Sequence, residues 1–308
     1  MKKFIRSVPM AICGVSLALA ALGNLLLPTF GPVARYICGI LSAALLVIFV
    51  LKLILDYPHA REELKTPIPL SVLPTATMTV MLLSAYIRPH MPGSALFIWY
   101  CAIIAHLGIM LIFAKRFMAG LKARNVFPTW FITFVGIAIA SVTAPAMGAV
   151  QIGQAVFYLG FVLYFAALPL VVCRMIKADQ FFPQPAQPTI AIFAAPMSLL
   201  IVGYFSSFQQ RNEMLVYFML ALALASYIYV TIKMLTSLLK IKFYPTCAAY
   251  TFPYVISAAA FRLGAAFLAE QGINFLTPIA QLSQLIAVMV VAYVVVHYVM
   301  YFRFWLKF

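Results

Sequence analysis

The chain has 308 residues, of which 66% are hydrophobic and only 9% charged. No soluble globular domain carries so little polar surface, so the composition excludes a soluble protein and requires a polytopic membrane protein. The formal net charge is +15, but the basic residues sit between apolar runs rather than in one patch, which reads as a topology signal and not as a nucleic-acid footprint.

Taken in order, the chain offers ten apolar spans, at about 7–27, 33–55, 67–87, 93–114, 127–145, 150–173, 188–208, 213–236, 245–269 and 277–302. The first, with its basic start (Lys2, Lys3, Arg6) and small residues at Ala18, Ala20 and Ala21, also fits a secretory signal peptide; the repeat described below argues for a span. With the N-terminus in the cytoplasm, seventeen lysines and arginines fall on the inner side, Lys177 and Lys307 among them. Only Arg35, Arg88, Arg211 and Arg262 fall outside. This positive-inside bias requires an even number of spans and predicts both termini in the cytoplasm. Trp130 and Trp305 are expected as anchors at inner boundaries and Trp99 at an outer one. The five cysteines, without ligand spacing, read as small buried hydrophobes.

Helix-breakers recur through the odd spans. Pro9, Pro74, Gly136, Pro196 and Pro253 are separated by 65, 62, 60 and 57 residues, and Pro67, Pro128, Pro188 and Pro245 lie seven or eight residues upstream of the last four. Even spans hold a proline only in the sixth, Pro169, and at the start of the tenth, Pro278. The pattern predicts an all-α polytopic fold of ten transmembrane helices. They form one transmembrane domain over 1–308, built of five parallel hairpins at about 1–60, 61–122, 123–180, 181–241 and 242–308. The broken odd helices would line a central pore and the even helices would surround them.

The ninth span, F-Y-P-T-C-A-A-Y-T-F-P-Y-V-I-S-A-A-A-F-R-L-G-A-A-F-L-A from Phe243 to Ala269, carries Pro253 well inside. There the proline is expected to delete an amide hydrogen bond and crowd the Ala249 carbonyl. Phe252 precedes the break and Ser257, Ala258, Ala259 and Ala260 follow it. From this stretch alone a kinked packing helix with a buried Phe is the plainer reading, and a ring plugging a pore is the other. Arg262 lies about 15 Å further along the helix, where it would attract anions at the outer mouth, or snorkel, or pair with Glu270.

V-F-P-T-W-F-I-T-F-V-G-I-A-I-A (126–140), A-A-P-M-S-L-L-I-V-G-Y (194–204) and F-Y-P-T-C-A-A-Y-T-F-P-Y (243–254) resemble the tellurite-resistance/dicarboxylate transporter family, which includes bacterial TehA and the slow-type anion channel of plant guard cells. The resemblance covers essentially the whole chain in span count and repeat. It implies five hairpins around a central pore, trimeric assembly, and occlusion of the pore by a Phe that corresponds to Phe252. This chain has Thr246, Cys247 and Ala248 where the guard-cell channel has aromatic residues, and it lacks that channel's long tails, so regulation by kinases is not implied.

The six acids, Asp56, Glu62, Glu63, Asp179, Glu213 and Glu270, all fall in loops or at span ends. A mid-membrane carboxylate for proton coupling and an acidic ring for a cation pore are both missing from the pattern. His106 and His297 sit on even spans, where packing or an interhelical hydrogen bond is favoured over a proton relay. No H-E-x-x-H, nucleophile elbow or P-loop is present, so the sequence suggests neither an enzyme nor a cofactor. Thr75, Thr77, Thr79, Ser141, Thr143, Ser198 and Ser257 on odd spans would either line a neutral bore or bond back to helix carbonyls. The expected function is an inner-membrane anion channel or channel-like facilitator. The alternative is a carrier for C4-dicarboxylate, sulfite or tellurium oxyanions.

Overall fold

The structure, a computed structural model, describes residues 2–176 and 182–306, with side chains over 4–176 and 182–303. Lys177, Asp179, Lys307 and the side chain of Trp305 lie outside the described residues. Nine helical stretches among them are long and apolar enough to cross a membrane. The first, Ile12–Leu55, has 44 residues, about 66 Å at helical rise, more than twice a hydrocarbon core. It is not one rod. Gly31 has φ 71 and ψ −172, a conformation only glycine adopts readily, between Pro28 and Pro32. The two limbs, α1 (12–30) and α2 (32–55), fold back on each other. The Ser16 hydroxyl donates to the Ser42 carbonyl and the Ser42 hydroxyl to the Ser16 carbonyl, each at 2.7 Å. The other stretches are α3 (Pro67–Ile87), α4 (Pro92–Phe117), α5 (Trp130–Met147), α6 (Val150–Met175), α7 (Gln184–Ser207), α8 (Glu213–Lys240), α9 (Pro245–Ala269) and α10 (Leu276–Arg303).

Burial separates odd from even. In α3, α5, α7 and α9 between 67% and 83% of the apolar window is buried. In α4, α6, α8 and α10 the share is 22% to 39%. The even helices show large apolar side chains outward, such as Ile104, Val162, Ile232 and Val296, as a surface facing lipid requires. Hydrogen bonds between neighbours close the odd helices into a ring. Tyr86 of α3 donates to Ala20 of α1 at 2.5 Å. Ser71 of α3 donates to Thr129, beside α5, at 2.6 Å. Ser207 of α7 donates to the Ser141 carbonyl of α5 at 2.7 Å. Ser257 of α9 donates to the Ala194 carbonyl of α7 at 3.2 Å, its oxygen 3.0 Å from that of Ser198. Thr251 of α9 reaches the Gly14 carbonyl of α1 at 3.4 Å. Without a hydrophobic drive between helices in lipid, such bonds and close small-residue contacts supply cohesion, about 0.6 kcal/mol per bond on average. Each even helix wedges behind two odd ones; α2, for example, lays Gly39 against the Tyr86 ring, where a Cβ would lie 2.7 Å from it.

The recurring prolines do not bend continuous helices. Pro67, Pro74, Pro196, Pro245 and Pro253 stand within the first three residues of half-helices, Pro9 and Pro128 just before helical pieces, and Pro188 inside one. The odd helices after the first are each two pieces: Pro67–Val72 then Pro74–Ile87, Trp130–Val135 then Ile139–Met147, Gln184–Ala194 then Ala195–Ser207, and Pro245–Tyr250 then Thr251–Ala269. The inner pieces of α7 and α9 are 3-10 helix. Pro253 is the third residue of its α-helical piece, in a first turn whose amides have no intrahelical acceptor, so its missing N–H costs little there. The inner pieces of α3, α5 and α9 are six residues long, so the interval of seven or eight residues between the two proline sets spans one such piece and its junction.

Two further expectations need correction. Trp99 and Trp130 are fully buried; their indoles donate to Thr143 Oγ1 at 2.7 Å and to the Asn125 carbonyl at 2.9 Å. They are packing residues with satisfied N–H groups, not interface anchors. Of the cysteines only Cys13 and Cys247 are buried, while Cys101 and Cys173 sit on the exposed apolar faces of α4 and α6.

Candidate functional site

The five odd helices enclose a cavity of about 240 Å³ on the ring axis. Every lining residue belongs to an odd helix or its approach, except Glu63 from the short helix Tyr57–Glu63. The cavity begins at the end of the bundle where the inner pieces start, among Pro9, Ile68, Thr189 and Pro245. The outermost lining residues on the five helices are Leu17, Met78, Gly136, Leu199 and Pro253. Its floor therefore lies where the inner pieces give way to the outer ones. One odd-helix turn beyond, Leu82, Ile139, Val202 and Ile256 are buried.

Four of the five recurring breakers, Pro9, Gly136, Pro196 and Pro253, face this cavity. Pro74 does not; its neighbours Val72 and Thr75 do. Gly136 is there for closeness: a Cβ would lie 2.7 Å from Met78 Sδ and 3.2 Å from His106 Cε1. His106 is itself fixed, with Nδ1 2.9 Å from Thr77 Oγ1 and Nε2 3.2 Å from the Thr133 carbonyl, so it ties α4 to α3 and α5. Phe252 forms part of the floor and is 8% exposed. Among the described residues no other aromatic ring pairs with it, in contrast to Phe131, which packs on Tyr164 and Phe193.

The lumen is nearly without free donors. Of the seven hydroxyls expected in a bore, only Thr75 lines it, and its hydrogen goes to the Val72 carbonyl at 2.8 Å. Thr77, Thr79, Thr143 and Ser198 bond back to their own helices, and Ser141 and Ser257 bond to α7 carbonyls. Thr189, which the sequence reading passed over, and Thr246, named there only where the guard-cell channel has aromatic residues, also line the cavity with their hydrogens committed to Ala186 and Pro185. A bare anion entering such a lumen would lose hydration with nothing in return.

The arginines at the opposite end share one role. Arg262 Nη1 donates to the Leu25 carbonyl of α1 at 2.8 Å. Arg35 donates to Ala85 of α3, Arg88 to Ala146 of α5, and Arg211 to Phe205 of α7. Each acceptor lies in the last turns of an odd helix, where unpaired carbonyls and the negative end of the helix dipole favour a cation. Among the described residues Arg262 makes no ion pair with Glu270. A bond from a charged donor contributes about 1.5–3 kcal/mol. Arg262→Ala should accordingly lower the unfolding midpoint in detergent by several degrees. An unchanged midpoint with reduced anion flux would instead assign the guanidinium to anion recruitment.

A family model described as voltage-dependent anion channel matches residues 5–302. The chain belongs to this family. The match spans all the apolar helical segments described above, and it agrees with the resemblance to the tellurite-resistance/dicarboxylate transporter family. Membership in the voltage-dependent anion channel family implies anion channel or transporter activity rather than catalysis. A comparison with curated proteins finds no match.

What the sequence reading missed in this member of the family is the pair behind Glu63. Lys52 is 1% exposed and donates to Glu63 Oε1 at 2.6 Å and to the Val8 carbonyl at 2.5 Å. The available signal was a lysine inside an apolar span with an acid eleven residues on.

Proposed function

We propose that the chain is an anion channel whose path runs along the axis of the odd helices and is closed at Phe252. The observation that carries this reading is the axial cavity lined by all five odd helices, ending at Phe252, in a member of the voltage-dependent anion channel family. All ten helical segments would cross the membrane as one domain of five hairpins, with the basic end of the bundle and both termini in the cytoplasm of a bacterium, as the lysine and arginine bias favours. The assembly proposed from the resemblance is a homotrimer with even helices at the contacts and one pore per protomer.

An apolar floor part-way along the odd helices, with no titratable group among its described residues, favours a gated pore over a proton-coupled carrier. The test is flux from liposomes holding the purified chain. A channel gives chloride flux that rises with concentration without saturating and does not depend on a proton gradient. Saturable flux of a C4-dicarboxylate, sulfite or tellurium oxyanion that follows the proton gradient would establish the carrier instead.

A further inference from the structure

Among the described residues Glu63 is the only charged one lining the cavity, and a carboxylate at the mouth of an anion path is an obstacle unless something neutralises it. Lys52 does so from behind. A buried ammonium is costly unless paired and hydrogen-bonded, and Lys52 owes its position to both partners. The Val8 carbonyl is available because the Ile12 amide, its helical partner in an unbroken helix, bonds to Pro9 instead at 3.1 Å. An ammonium has three hydrogens, and two are accounted for among the described residues.

The two ends of the ion pair differ. Lys52 is enclosed and tied to backbone. The Glu63 side chain is 38% exposed and projects from a seven-residue helix at the cavity's edge, with Oε1 as its bonded oxygen. Lys52 does not itself line the cavity; it meets the lumen through Glu63. The fixed partner is thus a cation, and the partner facing the cavity is a carboxylate on a movable stem.

We propose that Lys52 is the cation of a carboxylate-binding site at the basic-end mouth of the cavity, and that Glu63 is its resident occupant. A small carboxylate entering the mouth takes the oxygen position on the Lys52 ammonium as Glu63 swings into water. The site's role in transport rests on the anion-pathway reading, but its existence does not.

The full chain in detergent tests the site with formate as probe and chloride at equal ionic strength as control. Glu63→Ala opens a gap at Lys52 and should unfold several degrees below the parent protein. Formate should restore part of that loss, chloride clearly less, and the double variant Lys52→Met/Glu63→Ala should show no difference between the two salts. Equal responses to formate and chloride in Glu63→Ala overturn the site. Glu63→Gln keeps the shape and removes the charge, so a poorly folding Glu63→Ala does not end the test. Measured by formate flux in a Phe252→Ala background, Glu63→Gln should lower the half-saturating concentration about tenfold, and Lys52→Met should remove saturation. If neither change moves the formate flux curve, the site's role in transport is overturned. If Phe252→Ala carries no anion current at all, the pathway reading fails and the unfolding midpoints alone decide the site.

Discussion

Phe252→Ala is expected to raise anion conductance strongly while leaving the unfolding midpoint close to that of the parent protein. The ring stands on the floor of an axial cavity, with Leu17, Met78 and Leu199 from three other odd helices at the same level. It blocks in two ways: it fills the lumen, and it excludes the water an anion needs, so the barrier is largely desolvation. Next to it the outer piece of α9 starts at Thr251, and Pro253 in its first turn holds the backbone in place. About a turn further on come the small residues Ser257, Ala258, Ala259 and Ala260. Trimming the ring connects the cavity to the outer half of the bundle without removing a packed aromatic cluster, because no other ring pairs with Phe252 among the described residues. A Phe wholly enclosed in a core would cost about 3–5 kcal/mol on the same substitution. A destabilised protein with unchanged conductance would return Phe252 to packing.

The second large effect is expected at Gly136, with the opposite signature. Valine there would drive its Cβ toward Met78 Sδ at 2.7 Å and His106 Cε1 at 3.2 Å. Met78 is flexible, but His106 is held at both ring nitrogens by α3 and α5, so the three helices must separate. Overpacking of this kind typically costs about 1–3 kcal/mol. Gly136→Val should lower the unfolding midpoint by several degrees without raising anion conductance. An unchanged midpoint would mean that the junction of α3, α4 and α5 is looser than these distances.

The contrast between the two sites tracks what can be read from residues alone. That Phe252 stands where the ninth helix divides was legible because recurring breakers mark the odd helices, and a ring beside one of them points to that level. That Pro253 starts a half-helix was not legible: a proline within an apolar run looks the same whether the preceding turns are α or 3-10. The clasp hydroxyls were visible as residues but not as pairs. Ser71 with Thr129, Ser141 with Ser207 and Ser198 with Ser257 join successive odd helices at separations of 58, 66 and 59 residues, close to the spacing of the breakers, which held the signal. Arg262 illustrates the limit. Its carbonyl partner Leu25 is in the first helix, brought beside the ninth only by ring closure, and neither composition nor spacing encodes that contact. Trp99 and Trp130 misled for a related reason: span boundaries locate them in depth, while only packing decides whether they face lipid or protein.

The most direct test of an axial anion path is side-chain accessibility read as current. In the conducting Phe252→Ala background, cysteine is placed at Leu199, on the cavity floor, or at Ile104, on the outward face of α4 and 69% exposed. Phe252→Ala with its native cysteines alone sets the baseline. A negatively charged thiol reagent is then applied during chloride recording in a planar bilayer. An axial path predicts that modification at Leu199→Cys abolishes most of the current, whereas modification at Ile104→Cys leaves the baseline response. Current that persists after confirmed modification at Leu199→Cys would contradict it and move the anion path off the axis of the five odd helices.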